Sequence, residues 1–433
     1  MTETRPTEPP FDPRWLDTLA DVCRNLTAST PQIVDLFLER SLELRVTTVG
    51  RHLQAEESRS EGSAVRWRFP SRTTLHARTG TSPAALDDLM SHHPRGVTVP
   101  RSRPIHPVEI DPPRGWRDWA ATTIRQAPSG NHRIRFLARR GVVIRPGLWI
   151  AVESPPLVRV ELDGNAPSAL LAVWGHPLLA DWLAQLFESP PDRRWRPGSG
   201  LQVPVLFRSG TAGVLLHEAV GHLVESDLVV SQSSPLAAQL GASVTATSIT
   251  VTDDPTRWDL PGSFSSDDEG EPAAERQLVD RGRLVGWLSD RAGSLSLGTP
   301  GGRGRRASWD RPPIARLSNL IIAAGHNPPE SLEQGLDQGL VVERLGGATV
   351  DPVSSRLVLR VERGWEIHNG RRRRPTESFE LTGSVLDVLA NIDPDLGSDR
   401  CPDWRLGWCV KDGVPLATGS EAPTMLIHAL EVL

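Results

Sequence analysis

The sequence predicts an α+β protein in two parts. An N-terminal domain of mixed helices and strands is followed by a mostly antiparallel, barrel- or sandwich-like β domain that carries one short functional helix. Three observations point there. Short β-branched and leucine-rich runs recur between turn residues along most of the chain. Helical spacing of apolar residues is confined to a few short segments. A stretch rich in proline, arginine and glycine at residues 189–200 (SPPDRRWRPGSG) separates the two halves. A chain of 433 residues has room for two to three domains. The expected divisions are a disordered tail at 1–12, an N-terminal α+β domain at 13–195 and a β-rich domain at 200–433.

Taken in order, residues 15–26 place Trp15, Leu16, Leu19, Val22, Cys23 and Leu26 on one helical face. Residues 33–49 read as one or two strands, and 64–69 alternate like a half-buried strand. Ser82-Pro83 opens a short helix running to about residue 92, with serine as cap and proline in the first turn. Five prolines between 98 and 114 read as a linker or extended crossover. Repeated short apolar runs from 133 to 174 predict an antiparallel sheet, and 177–187 a helix. Beyond the boundary, a strand at 203–207 leads through Ser209-Gly210 into the functional helix. Short strands are expected at 248–251, 276–288, 315–323, 339–361, 377–381 and 423–432, with a helix at 385–391.

Composition excludes several classes. Hydrophobic residues make up 38% and the net charge is −5, so the chain is globular and carries no bulk basic field for nucleic acid. No apolar run approaches the ~20 residues of a membrane span, and the polar start lacks a secretory apolar core. A cytoplasmic protein is expected, with no nucleic-acid or membrane partner. Three scattered cysteines do not make a disulfide framework. Tyrosine is absent, so no phenol can act as acid or oxyanion donor.

The chemistry concentrates in Gly213-Val-Leu-Leu-His217-Glu218-Ala-Val-Gly221-His222. Two imidazoles with a carboxylate beside the first are what a zinc hydrolase requires: rings to bind the metal, and a base to take a proton from a metal-bound water. The spacing is i, i+5, which on a regular helix sets the rings ~140° apart, against ~40° for i, i+4. A π-type turn would bring them together, and Gly221 would tolerate a distorted backbone. A third ligand is offered by Cys409, with the single lysine, Lys411, placed to favour a thiolate. A Cys401–Cys409 disulfide and a simple apolar role for Cys409 are the other readings. For the oxyanion donor, a backbone N–H, an arginine of 301–306 or His368 are the candidates. The arginines of 371–374 follow Asn369-Gly370 and read as a solvated hairpin end.

These residues resemble the TldD/PmbA family of metalloproteases. The HEAVGH helix with Glu225 and Asp227, the Asp267-Asp268-Glu269-Gly270 turn, residues 282–291, the loop and strand at 305–319, Leu345-Gly346-Gly347, Asp351-Pro352, 366–370 and 408–413 follow in that family's order. The chain departs from the family pattern at Leu223, Ser226 and Trp287. The resemblance implies His217, His222 and Cys409 as ligands of zinc, with iron the other metal to consider, and Glu218 as general base. It further implies hydrolysis of small, extended or unfolded peptides, including precursor-peptide processing. A homodimer, or a heterodimer with a motif-lacking TldE/PmbA-like subunit, would enclose the site. The alternative is a non-catalytic binding or assembly subunit with a structural metal.

Overall fold

A computed structural model of the protein describes residues 11–29, 33–49, 52–68, 73–91, 110–128, 130–163, 168–188, 194–405 and 407–433. Most of the expected tail, residues 98–109 of the expected crossover and 189–193 of the expected boundary lie outside the described residues.

The N-terminal half is built on an antiparallel sheet. The strands Thr73–Thr79, His52–Arg68, Ile33–Val49, His132–Arg145, Leu157–Leu162 and Ser168–Val173 lie side by side in that order, and Leu148–Glu153 pairs with His132–Arg145. Residues 33–49 form one strand, paired over its whole length with His52–Arg68. The sequence shows only the last part of that partner. Its first nine residues are exposed, and backbone pairing holds them rather than burial of alternate side chains.

Alternation along Ile33–Val49 sorts the two faces. Leu36, Leu38, Leu42, Leu44 and Val46 point to one side and are buried. The helices Pro13–Ser29 and Pro83–Ser91 cover one end of that face, packing Trp15, Leu19, Leu86 and Leu89 on it. The helices Trp116–Gln126 and Leu179–Phe187 cover the other end. Trp116–Gln126 carries no sequence signal for its start: Gly115, at φ 72°, precedes it with no side-chain cap.

The opposite face carries Asp35, Phe37, Glu39, Arg66 and Arg139, and it docks on the C-terminal half through the Asp267–Gly270 turn. Arg66 joins Asp35 at 2.8 Å and Glu269 at 2.6 Å, and Arg139 reaches Asp268 at 2.8 Å. The Arg306 guanidinium lies 3.9 Å over the Phe37 ring. Asp267 organises the turn from within: its carboxylate accepts the backbone N–H groups of Glu269, Glu271 and Gly304. Buried ion pairs of this kind repay their desolvation only when every charge is met, and here several carboxylates and arginines interlock.

The C-terminal half contains a closed five-strand barrel. Gln202–Phe207, Met425–Val432, Phe379–Ser384, Arg356–His368 and Gln338–Asp351 follow one another, and the last pairs back to the first. All pairings are antiparallel except that closing one. A second sheet, 283–284, 276–280, 251–253, 319–322, 419–422 and 401–403, lies beside it. The strand expected at 248–251 is Val251–Asp253, and the expected 276–288 run is two strands, Arg276–Asp280 and Arg283–Leu284. Trp195 already bridges to Thr376, so the chain enters the C-terminal sheet system before residue 200.

Candidate metal centre

After the strand Gln202–Phe207 the chain turns at Gly210, whose φ of 90° and approach to the Pro402 carbonyl suit only glycine. The helix Thr211–Leu216 follows, with every residue buried. It packs between the barrel strand Gln338–Asp351 and the strand Gly419–Ala422. Gly213 permits the closest approach: a Cβ there would sit 2.8 Å from Ser420 Cβ. Hydrophobic burial on all sides holds this segment helical, since it has no side-chain cap.

Residues His217–Gly221 then form a π turn, in which the His222 N–H donates to the His217 carbonyl five residues back. The wider turn absorbs the extra residue of the i, i+5 spacing and brings both rings to one side. Their centroids are 4.9 Å apart with the planes at 84°. Gly221 has φ −51° and ψ −58°, ordinary right-handed values, and a Cβ there would meet nothing closer than 3.5 Å. The turn therefore does not draw on glycine's freedom, contrary to the sequence-based expectation.

Cys409 arrives from the hairpin formed by Trp408–Lys411 and Val414–Ala417. Its Sγ lies 3.0 Å from His222 Nε2. The candidate ligand atoms of His217, His222 and Cys409 all fall within 4.8 Å of one another, and all three residues are buried. Cys401 and Cys409 are both free thiols, Cys401 exposed.

Residues to which the sequence gave no role complete the site. Glu225, fully buried, accepts from His222 Nδ1 at 3.2 Å, from the Leu317 N–H at 3.1 Å and from Lys411 Nζ at 2.7 Å. A carboxylate on Nδ1 fixes the ring so that Nε2 faces the thiol. Burial alone would raise the Glu225 carboxyl, but His222 and Lys411 hold it down to about 2. Lys411 also contacts Asp227 at 2.7 Å, so its charge is spent on carboxylates and not on the thiol as expected from sequence. Arg316, wholly buried, donates instead to Cys409 Sγ at 3.2 Å and to the Cys409 carbonyl at 3.0 Å. Burial opposes ionisation of Cys409, yet the two imidazoles keep its thiol well below the ordinary value. Arg316 lies far from Cys409 in sequence, and no local pattern links them.

The site opens into a cleft of about 530 Å³ lined by His217, Glu218, His222, Trp408, Cys409 and Lys411, with Gly347 to Val350 along one wall. Desolvation raises the half-buried Glu218 carboxyl, against the pull of the two imidazoles. Of the oxyanion candidates, none of the arginines nor His368 lines this cleft. Arg305 is committed to the Leu317 and Ala417 carbonyls, and His368 is exposed at a strand end opposite Arg371.

Two imidazoles and one thiolate suit a borderline-soft divalent cation, and a three-ligand set leaves a position free for substrate or water. Tetrahedral bonds of about 2.0–2.3 Å would set the ligand atoms roughly 3.5 Å apart, which the observed spread admits with small adjustments.

Comparison with known proteins concerns the C-terminal half and the overall fold. The model of the PmbA/TldA metallopeptidase C-terminal domain matches residues 200–433. The metalloprotease TldD homolog of Haemophilus influenzae is 32% identical over 232 residues, 53% of this chain and 48% of that protein. A metalloprotease of Methanothermobacter thermautotrophicus is 34% identical over 219 residues, 50% of this chain and 47% of that one. The matches thus span about half the length of these curated relatives. In structure, TldE from Thermococcus kodakarensis superposes with a TM-score of 0.70 at 14% identity, covering 96% of this chain and 99% of that one. That likeness concerns the fold and extends through the N-terminal half.

Proposed function

The chain belongs to the PmbA/TldD family of metallopeptidases, and from that premise we propose that it is a zinc-dependent peptidase acting on small, unfolded or extended peptides. The observation that carries this reading is the convergence of His217, His222 and Cys409 beside Glu218 in one cleft.

His217, His222 and Cys409 would hold the cation. When bound, it supplies Lewis acidity toward a carbonyl oxygen and acidifies water. The chain's own groups do the rest. The Glu218 carboxylate, made more basic by desolvation, takes the proton of the attacking water and returns it to the leaving amine. Glu225 orients His222, and Arg316 holds the Cys409 sulfur in place. With no arginine or histidine of the earlier candidates in the cleft, a backbone N–H is the oxyanion donor that this reading uses.

An extended peptide suits a cleft walled by strand Gln338–Asp351. A second copy, or a motif-lacking sister chain, would close it. Among the described residues no helix is long and apolar enough to cross a membrane. The test is metal removal with a chelator, followed by stoichiometric zinc. Peptide cleavage should stop and then return, while the far-ultraviolet circular dichroism stays unchanged. Loss of fold on chelation, with no cleavage by the zinc-loaded protein, would favour an assembly subunit with a structural metal.

A further inference from the structure

Beyond Trp408 lies a second cavity of about 330 Å³, which Trp408 also lines. The two cavities share a strand as well. Leu345 and Gly346 line the second, and Gly347 to Val350 the metal cleft. Bulges in Gln338–Asp351 at this point bend the strand between them.

Three arginines line the second cavity, and two are neutralised. Arg159 pairs with Glu161 at 2.6 Å and Arg360 with Glu362 at 3.0 Å. Arg405 is different. Its guanidinium stacks 3.8 Å over the Trp404 ring, its Nη1 is buried, and that nitrogen has no hydrogen-bond partner among the described residues. No carboxylate of the described residues lies within ion-pair distance of it. Burial and the neighbouring Arg344 press the guanidinium below its ordinary value, against the opposing pull of Asp403 and Glu362. A half-buried guanidinium without an ion pair keeps hydrogen-bonding capacity that an anion entering the pocket can meet. Its planar fork suits a carboxylate held by two parallel hydrogen bonds.

We propose that this pocket is a carboxylate subsite, in which Arg405 receives a carboxylate of the bound peptide, either a free C-terminus or an Asp or Glu side chain. A peptide lying along residues 345–350 would span about 17 Å of strand, so the anchored group sits a few residues from the bond that is cut. The subsite thus deepens the peptidase reading and rests on it.

The test uses zinc-loaded Glu218→Gln protein and a matched set of fluorescent peptides: a free C-terminal acid, its C-terminal amide, and amides carrying an internal Glu or Gln. Anisotropy titrations should show at least one carboxylate peptide binding roughly tenfold or more tighter than its neutral match. Which of the two carries the advantage identifies the source of the carboxylate. Arg405→Met in the same background should abolish the difference, and Arg405→Lys should keep part of it. Equal binding of acid and neutral peptides, no binding of either, or a preference surviving Arg405→Met would overturn the subsite. Cleavage by the unsubstituted protein separates the two ideas. Equal kcat/KM for acid and neutral peptides removes the subsite and leaves the peptidase. Carboxylate-dependent binding without any cleavage removes the peptidase and leaves the subsite.

Discussion

The backbone N–H of His222 bonds the carbonyl of His217, five residues earlier, and this one wide turn sets the two imidazoles 4.9 Å apart at their centroids. A regular helix would have splayed them ~140° around its axis. The predictions below test the geometry that follows from that turn.

Glu218→Gln should keep one metal per chain and lose cleavage by about 10²–10⁴ in kcat, the usual contribution of a positioned general base. Elemental analysis and a discontinuous peptide assay read the two quantities separately. Turnover within a few-fold of the parent would remove Glu218 from the reaction.

Cys409→Ser should weaken zinc binding by more than about a hundredfold, and Glu225→Gln by about 10–100-fold, since a group that orients a ligand counts for less than the ligand. Competition with a chromophoric chelator measures both. An effect of Glu225→Gln as large as that of Cys409→Ser would mean that Glu225 does more than orient His222.

Two glycines of the same segment should behave oppositely. Gly221→Ala should change stability by less than about 1 kcal/mol and leave the metal stoichiometry intact, because its backbone is right-handed and its surroundings leave room. Gly213→Ala should cost about 1–3 kcal/mol through the clash with Ser420. Urea unfolding of the metal-free proteins ranks them, and the reverse order would contradict the packing described.

Thiol reactivity and pH provide a separate check. Cys23 is buried in the N-terminal core, and burial, reinforced by Asp35, pushes its thiol up to about 12. An unfolded thiol ionises near 8.5, so the fold binds this proton more tightly. The resulting stabilisation is complete below about pH 8 and is withdrawn as pH rises from there toward 12. Alkylation at neutral pH should therefore modify exposed Cys401 and spare Cys23 until the protein unfolds, with mass spectrometry of peptides as the readout. Rapid native labelling of Cys23 would refute its burial.

Much of the frame was legible in the sequence. The β-branched and leucine-rich run of residues 33–49, the helix opened by Ser82-Pro83, the repeated runs at 133–174 and the strand before residue 209 all state local preferences that tertiary packing leaves in place. The helix Trp116–Gln126 was not legible, because it lacks a capping side chain and begins at a left-handed glycine. The exposed half of His52–Arg68 was hidden for a different reason: its polar side chains carry no alternation, and its partner's backbone holds it.

By itself the sequence determined the two imidazoles, the thiol and the carboxylate beside the first histidine that the proposed site uses, and the strand-rich character of the second half, because these are written in residue identity and short-range order. The tertiary structure alone decided that the i, i+5 spacing becomes a π turn, that Arg316 rather than Lys411 meets the Cys409 sulfur, that Glu225 orients His222, and that the Asp267–Gly270 turn receives the N-terminal sheet. The Arg316–Cys409 and Arg66–Glu269 contacts join groups 93 and 203 residues apart, and the local Glu225–His222 contact is held in place by Leu317 and Lys411 from distant parts of the chain. Distances of that kind are set by how the barrel closes and how the two halves dock, and no local pattern encodes them.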